Sequence, residues 1–81
     1  MSNTEQSEIM EIMEKALNLS AGFLKENSSS ETISDWDSLG QLSILVALDK
    51  KFEGKISSIS EMADADSVPK ILKILKENSI I

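Results

Sequence analysis

The sequence predicts an all-α protein: a small antiparallel four-helix bundle with three longer helices, one short helix and a long loop between helices one and two. Apolar residues recur at helical spacing in separate segments, and no segment alternates apolar and polar residues as a strand would. Since 81 residues suffice for one modest core, we expect residues 1–81 to form a single domain.

The first helix is predicted between Glu5 and Leu17. Its apolar residues follow the i, i+3, i+4, i+7, i+8 spacing of one helical face: Ile9, Ile12, Met13, Ala16 and Leu17. The following stretch, 19–37, mixes glycine, asparagine and serine with isolated apolar residues. We therefore expect a long ordered loop, held to the core by Phe23, Leu24 and Ile33.

The second helix is predicted between Ser38 and Phe52. Because it is apolar over much of its circumference, we expect it to be the most buried helix of the bundle. Asp37 or Ser38 can cap its start, and Ser38 with Gln41 matches the S-x-x-Q capping box. Three lysines near Gly54 are typical of a helix C-terminus.

Two further helical segments are predicted in the last third of the chain. The residues 60–64 can form a single helical turn. A last helix follows, with Asp66 or Ser67 as its cap and Pro69 in its first turn. Its buried face is expected to consist of Val68, Ile71, Leu72 and Leu75.

The composition narrows the classes of function. With 14 acidic and 8 basic residues, a net charge of −6 disfavours nucleic acid and favours proteins with basic docking patches as partners. The chain has no histidine and no cysteine, which argues against an enzyme and against a metal site. Without a signal-like N-terminus or a membrane-spanning run, we expect a cytoplasmic protein, and we expect a monomer.

The most informative segment is 35–39, Asp-Trp-Asp-Ser-Leu, where the long loop meets helix two. Asp37-Ser38-Leu39 at the head of an apolar helix, Leu48-Asp49-Lys50-Lys51-Phe52 at its end, and the overall length together resemble the acyl carrier protein family across nearly the whole chain. Trp36, the only tryptophan, is expected to be a core residue.

The resemblance implies a covalent cofactor and its site. In that family, a Mg²⁺-dependent phosphopantetheinyl transferase attaches 4'-phosphopantetheine to the serine that matches Ser38. The resemblance also implies that Asp37 helps to hold the metal or the serine during transfer, although a helix cap explains Asp37 as well. Leu39 either packs at the helix start or offers an apolar contact to the transferase.

The sequence departs from fatty-acid-synthesis carriers in the charge of helix two. Those carriers dock through an acidic second helix, whereas this one has Gly40, Gln41 and Ser43, then Asp49 before two lysines. We therefore expect a carrier with acyl-activating and acyl-transferring partners of a specialised pathway. The alternative is an unmodified acidic helical interaction module, in which Ser38 is only a cap.

Overall fold

The computed structural model describes the backbone of residues 2–81 and the side chains of residues 6–81. Three α-helices are present in this part of the chain: α1 (Ser2–Ala16), α2 (Ser38–Lys51) and α3 (Val68–Glu77). A five-residue 3₁₀ helix, Ser60–Asp64, lies between α2 and α3. The residues described form no strand, so the all-α prediction is confirmed.

One apolar core joins the helices and the loops. Helix α1 contacts α2, and the 3₁₀ helix contacts both α2 and α3. The buried apolar residues are Ile9, Met13, Leu17, Leu24, Ile33, Trp36, Ile44, Leu48, Ile56, Met62, Ala65, Val68, Ile71, Leu72 and Leu75. Because loop residues contribute to this core beside helical ones, the loops are part of the folded unit rather than appendages to it.

Helix α1 buries the predicted face. Ile9, Met13 and Leu17 are buried, while Ile12 and Ala16 are half-buried against the core. The helix ends at Ala16, and the next turn closes with the N–H of Leu17 donating to the Met13 carbonyl oxygen at 2.9 Å. The predicted amphipathic helix is therefore confirmed.

The loop that follows α1 is anchored to α1 by a buried carboxylate. Glu14 is almost fully buried, and its Oε2 accepts a hydrogen bond from the Leu24 N–H at 2.9 Å. No local sequence pattern around Glu14 indicated this role. Leu24 and Ile33 are buried as predicted, but Phe23 is 53% exposed, so the prediction that Phe23 holds the loop to the core is wrong. The backbone bond to Glu14 and the Leu24 side chain hold this part of the loop instead.

The same loop is anchored to the start of α3. Ser29 and Ser67 form an isolated antiparallel bridge. On either side of it, the Ser30 N–H donates to the Asp66 carbonyl oxygen, and the Val68 N–H donates to the Ser28 carbonyl oxygen, each at 2.9 Å. With both anchors in place, the prediction of an ordered loop is confirmed.

Helix α2 begins at Ser38 as predicted and ends at Lys51, one residue before the predicted end, but its burial differs. Its inner face, formed by Gly40, Ile44 and Leu48, is buried. Leu39, Leu42 and Val46, which we call the outer stripe, are 74%, 57% and 48% exposed. The expectation that α2 is the most buried helix is therefore wrong, because α1 and the 3₁₀ helix cover only one side of it.

Helix α3 matches its prediction closely. Of the two possible caps, Ser67 is the one used, since its Oγ accepts from the Lys70 N–H at 3.3 Å. Pro69 lies in the first turn, and the predicted four apolar residues are all buried. No helix in the described part of the chain has the length and apolarity needed to cross a membrane.

Candidate functional site

Ser38 is the first residue of α2, and its side chain is exposed. The preceding Asp37 has an extended backbone and caps the helix: its Oδ1 accepts from the Gly40 N–H at 2.9 Å, and its carbonyl oxygen accepts from the Gln41 N–H at 2.8 Å. The N–H groups of Ser38 and Leu39 have no hydrogen-bond partner among the described residues. The Ser38 hydroxyl therefore lies beside two free donors at the positive end of a helix dipole.

The predicted capping box is wrong, because the Gln41 side chain points elsewhere. Its Oε1 accepts from Trp36 Nε1 at 2.6 Å, and its Nε2 donates to the carbonyl oxygens of Met62 at 3.1 Å and Ala65 at 2.9 Å. Both carbonyl groups lie at the end of the 3₁₀ helix. That of Met62 also accepts from the Ala65 N–H at 3.1 Å, whereas the half-buried glutamine supplies the donor for that of Ala65. Gln41 thus connects the residue before the cap, the start of α2 and the 3₁₀ helix.

Two contacts fix the approach of the loop to Ser38. Trp36 is buried in the core, which confirms its prediction, and its indole N–H is satisfied by Gln41. Gly40 lies so close to the Asp35 carbonyl that a Cβ there would overlap it, and the same Cβ would come within 2.8 Å of the Leu17 side chain. A glycine is thus required where α2 crosses the end of the loop, and the position of Ser38 follows from that crossing.

The structure excludes one of the two roles considered for Leu39. Because its side chain is the most exposed of the outer stripe, it does not pack at the helix start. Leu39 instead presents an apolar surface directly beside Ser38. The three predicted site residues, Asp37, Ser38 and Leu39, therefore form one exposed group at the head of α2.

A polar cleft of about 500 Å³ opens next to Ser38. Its walls are Ser30, Trp36, Asp37, Ser38, Gln41, Ala63, Asp64 and Asp66. Lys70 Nζ lies 3.0 Å from Asp66 Oδ1, and this hydrogen bond and charge hold the pKa of Asp66 below its ordinary value. Among the described residues, no group of three or more His, Cys, Asp or Glu side chains is arranged to hold a metal ion. Asp64 and Asp66 are exposed on the wall of the cleft.

A second cleft, of about 310 Å³ and apolar, lies between α2 and the segment leading into the 3₁₀ helix. Its walls are Leu42, Leu45, Val46, Asp49, Ile56, Ser57, Ile59, Ser60, Met62 and Ala63. The two clefts meet at Ala63, which lines both. The apolar residues of α2 were visible in the sequence, but which of them face this cleft depends on the path of the chain between α2 and the 3₁₀ helix.

Comparison of the chain with protein-family models, with curated proteins and with solved structures finds no match.

Proposed function

We propose that this protein is an acyl carrier protein, which carries acyl or aminoacyl groups as thioesters on a 4'-phosphopantetheine group attached to Ser38. The observation that carries the proposal is the exposed Ser38 hydroxyl at the capped start of α2, within an Asp-Ser-Leu sequence that resembles the family's attachment site. As part of this proposal, the three α-helices and the 3₁₀ helix correspond to a small antiparallel four-helix bundle with a long first loop.

The surroundings of Ser38 suit a phosphodiester. Asp37 satisfies the Gly40 N–H, which leaves the N–H groups of Ser38 and Leu39 able to donate to phosphate oxygens. Because the Ser38 side chain is exposed beside an open cleft, a transferase can reach its oxygen. When attached, the group supplies the thiol that this chain, which has no cysteine, lacks.

Attachment is a balanced substitution at phosphorus. The Ser38 oxygen forms a new bond to the phosphorus that carries the pantetheine group of coenzyme A, the pyrophosphate bond breaks, and 3',5'-ADP leaves. The hydroxyl proton passes to a base of the transferase or to water. Asp37 keeps the helix start in place during this step, since its carboxylate caps α2 directly before the reacting residue.

The apolar cleft favours an acyl cargo over an aminoacyl one. Leu42 lies one helical turn after Ser38, on the same side of α2, and lines the cleft. An apolar chain on a flexible arm at Ser38 would lose contact with water in that cleft. An aminoacyl group would gain little from walls that are mostly aliphatic.

The partners expected are a phosphopantetheinyl transferase and acyl-activating and acyl-transferring enzymes. No acidic residue lies in the first turn of α2, whereas Lys50 and Lys51 lie in its last turn. This distribution of charge supports partners of a specialised pathway, because surface charge governs encounter rate and partner choice. In this proposal the chain itself catalyses nothing.

Intact-mass spectrometry tests the proposal. The purified chain is measured before and after incubation with coenzyme A, Mg²⁺ and a broad-specificity phosphopantetheinyl transferase, beside Ser38→Ala. We expect one phosphopantetheine on the parent chain and none on the variant. A folded parent chain that stays unmodified would refute the carrier and favour the unmodified interaction module.

A further inference from the structure

The outer stripe of α2 is only partly covered within the described residues, where Leu42 and Val46 also line the apolar cleft. At about 100° per residue, Leu39, Val46 and Lys50 fall within one narrow arc of the helix, and Leu42 lies at its edge. Three aliphatic side chains in a row, each about half exposed or more, are costly to leave in water. The stripe therefore has the character of a contact surface.

The two ends of this stripe differ in charge. At the C-terminal end, Asp49 lines the apolar cleft and its Oδ1 accepts from the Ser57 N–H at 2.9 Å, which leaves Lys50 as the exposed charge. Asp35 and Asp37 are exposed at the N-terminal end, and Lys50 is exposed at the C-terminal end. Lys51 points toward α1 instead, where its Nζ lies 3.4 Å from Glu8 Oε2. Asp37 and Lys50 are equally far along the chain from the point between Ser43 and Ile44, about 10 Å each way at the rise of an α-helix.

We propose that two copies of this chain pair through their outer stripes, with the two α2 helices antiparallel about a twofold axis. Such an arrangement places stripe on stripe and brings each Lys50 to the acidic end of the other copy. A parallel arrangement would place Lys50 beside Lys50 and is disfavoured. The proposal concerns the unmodified chain and does not depend on the modification of Ser38.

A second copy fits this surface better than a partner with a single sign of charge. A basic partner is repelled at Lys50, and an acidic partner is repelled at Asp35 and Asp37. A second copy in the antiparallel orientation places Lys50 of each chain against Asp35 and Asp37 of the other. A dimer also removes the apolar side chains from water, which the monomer expected from the sequence would leave exposed.

The dimer is expected to be weak and reversible. Its contact is one helix face, well below the size of a standard stable interface, and each copy carries a net charge of −6. At about 0.15 M salt, charges further apart than about 8 Å are screened, so the overall repulsion fades while the close contacts remain. The dimer should therefore be sought at high protein concentration.

Sedimentation equilibrium of the unmodified full chain tests the pairing, from about 10 µM to about 1 mM at about 0.15 M salt. We expect a monomer–dimer equilibrium whose dissociation constant rises at least about tenfold in Leu42→Gln. Phe23→Gln, which changes the exposed aromatic residue outside α2, should leave it unchanged. A monomer at every concentration, or equal weakening by both variants, overturns the proposal.

Charge reversal tests the antiparallel direction. Lys50→Glu should weaken the dimer, whereas Lys73→Glu, the same change on the exposed face of α3, should not. Adding Asp35→Lys to Lys50→Glu should restore association. Amide chemical shifts on dilution should move within 35–50 only. Insensitivity to Lys50→Glu, or shift changes centred elsewhere, would refute this geometry.

Discussion

The two sides of α2 are built from similar residues but have different surroundings. On the inner face, Ile44 and Leu48 are fully buried against the core. On the outer stripe, Leu39 and Leu42 are mostly exposed. Residue type alone thus does not determine burial in this helix. Burial depends on which neighbouring segments pack against each side. The inner face holds the fold together, and the outer stripe remains available to another molecule.

The largest predicted loss of stability comes from truncating a leucine on the inner face of α2, compared with the same truncation on the outer stripe. Leu48→Ala removes a fully buried side chain and should lower the free energy of unfolding by about 2–5 kcal/mol. Leu42→Ala, the same chemical change on the outer stripe, should cost no more than about 0.5 kcal/mol. Urea denaturation followed by circular dichroism measures both. Similar losses in the two variants would show that the outer stripe is buried in the folded monomer.

Gly40→Ala tests how tightly the inner face meets the end of the loop. At an exposed position inside a helix, replacing glycine with alanine would stabilise the folded chain by up to about 1 kcal/mol. Here the new Cβ would overlap the Asp35 carbonyl and press on Leu17, so we expect a net loss of about 1–3 kcal/mol. Urea denaturation measures whether Gly40→Ala lowers or raises the free energy of unfolding. A gain in stability would mean that α2 does not cross the loop this closely.

Gln41→Leu tests the hydrogen bonds that the Gln41 side chain makes next to Ser38. The change leaves the Trp36 indole N–H and the Ala65 carbonyl oxygen without a partner, while the Met62 carbonyl oxygen keeps only the Ala65 N–H, at a cost of about 1–3 kcal/mol. Gln41→Glu keeps the acceptor for Trp36 but brings a carboxylate against the two carbonyl oxygens. It should therefore recover stability as the pH falls and the carboxylate is protonated. If Gln41→Leu unfolds at the same urea concentration as the parent chain, the glutamine does not bridge these groups.

The smallest effect concerns Asp66 on the wall of the polar cleft. Its pKa is lowered in the folded chain, chiefly by the hydrogen bond and charge of Lys70. Because the pKa of Asp66 is lower in the folded than in the unfolded chain, the ionised carboxylate stabilises the folded chain fully above the unfolded pKa. This stabilisation is lost as the pH falls through the folded pKa. The melting temperatures of the parent chain and Asp66→Asn should therefore differ slightly near pH 6 and converge by about pH 2.

Lys70→Gln provides the control for that titration. In a Lys70→Gln chain, Asp66 has lost its cationic partner. Adding Asp66→Asn to that chain should therefore change the melting temperature less, at every pH, than it does in the parent chain. A difference between parent and Asp66→Asn that grows as the pH falls would contradict the lowered pKa.

The helices could be predicted from the sequence because local signals agreed with their tertiary surroundings. The apolar spacing of α1, the cap at Asp37 and the Ser67-to-Pro69 start of α3 each depend on neighbouring residues along the chain. The site residues Asp37, Ser38 and Leu39 are adjacent in sequence, so their shared position at the helix start could also be predicted.

The remaining features depend on contacts between distant segments. Gln41 matched a local capping motif, but carbonyl groups more than twenty residues later competed for its amide. Glu14 lies outside the predicted apolar face of α1, yet its side chain accepts a hydrogen bond from the Leu24 N–H. An all-round apolar pattern predicts burial for α2 and cannot distinguish a covered side from the exposed one that includes Leu42.

We propose that Ser38 is the functional residue of α2, while the inner face of the helix stabilises the fold. The most direct test compares Ser38→Ala with Ser43→Ala, a matched change at another exposed serine of α2. Both variants should unfold at the urea concentration of the parent chain. After incubation with coenzyme A, Mg²⁺ and the transferase, tandem mass spectrometry should locate one phosphopantetheine on Ser38 in the parent and in Ser43→Ala, and none in Ser38→Ala. A folded parent without the group, or a modified Ser38→Ala, would contradict the account.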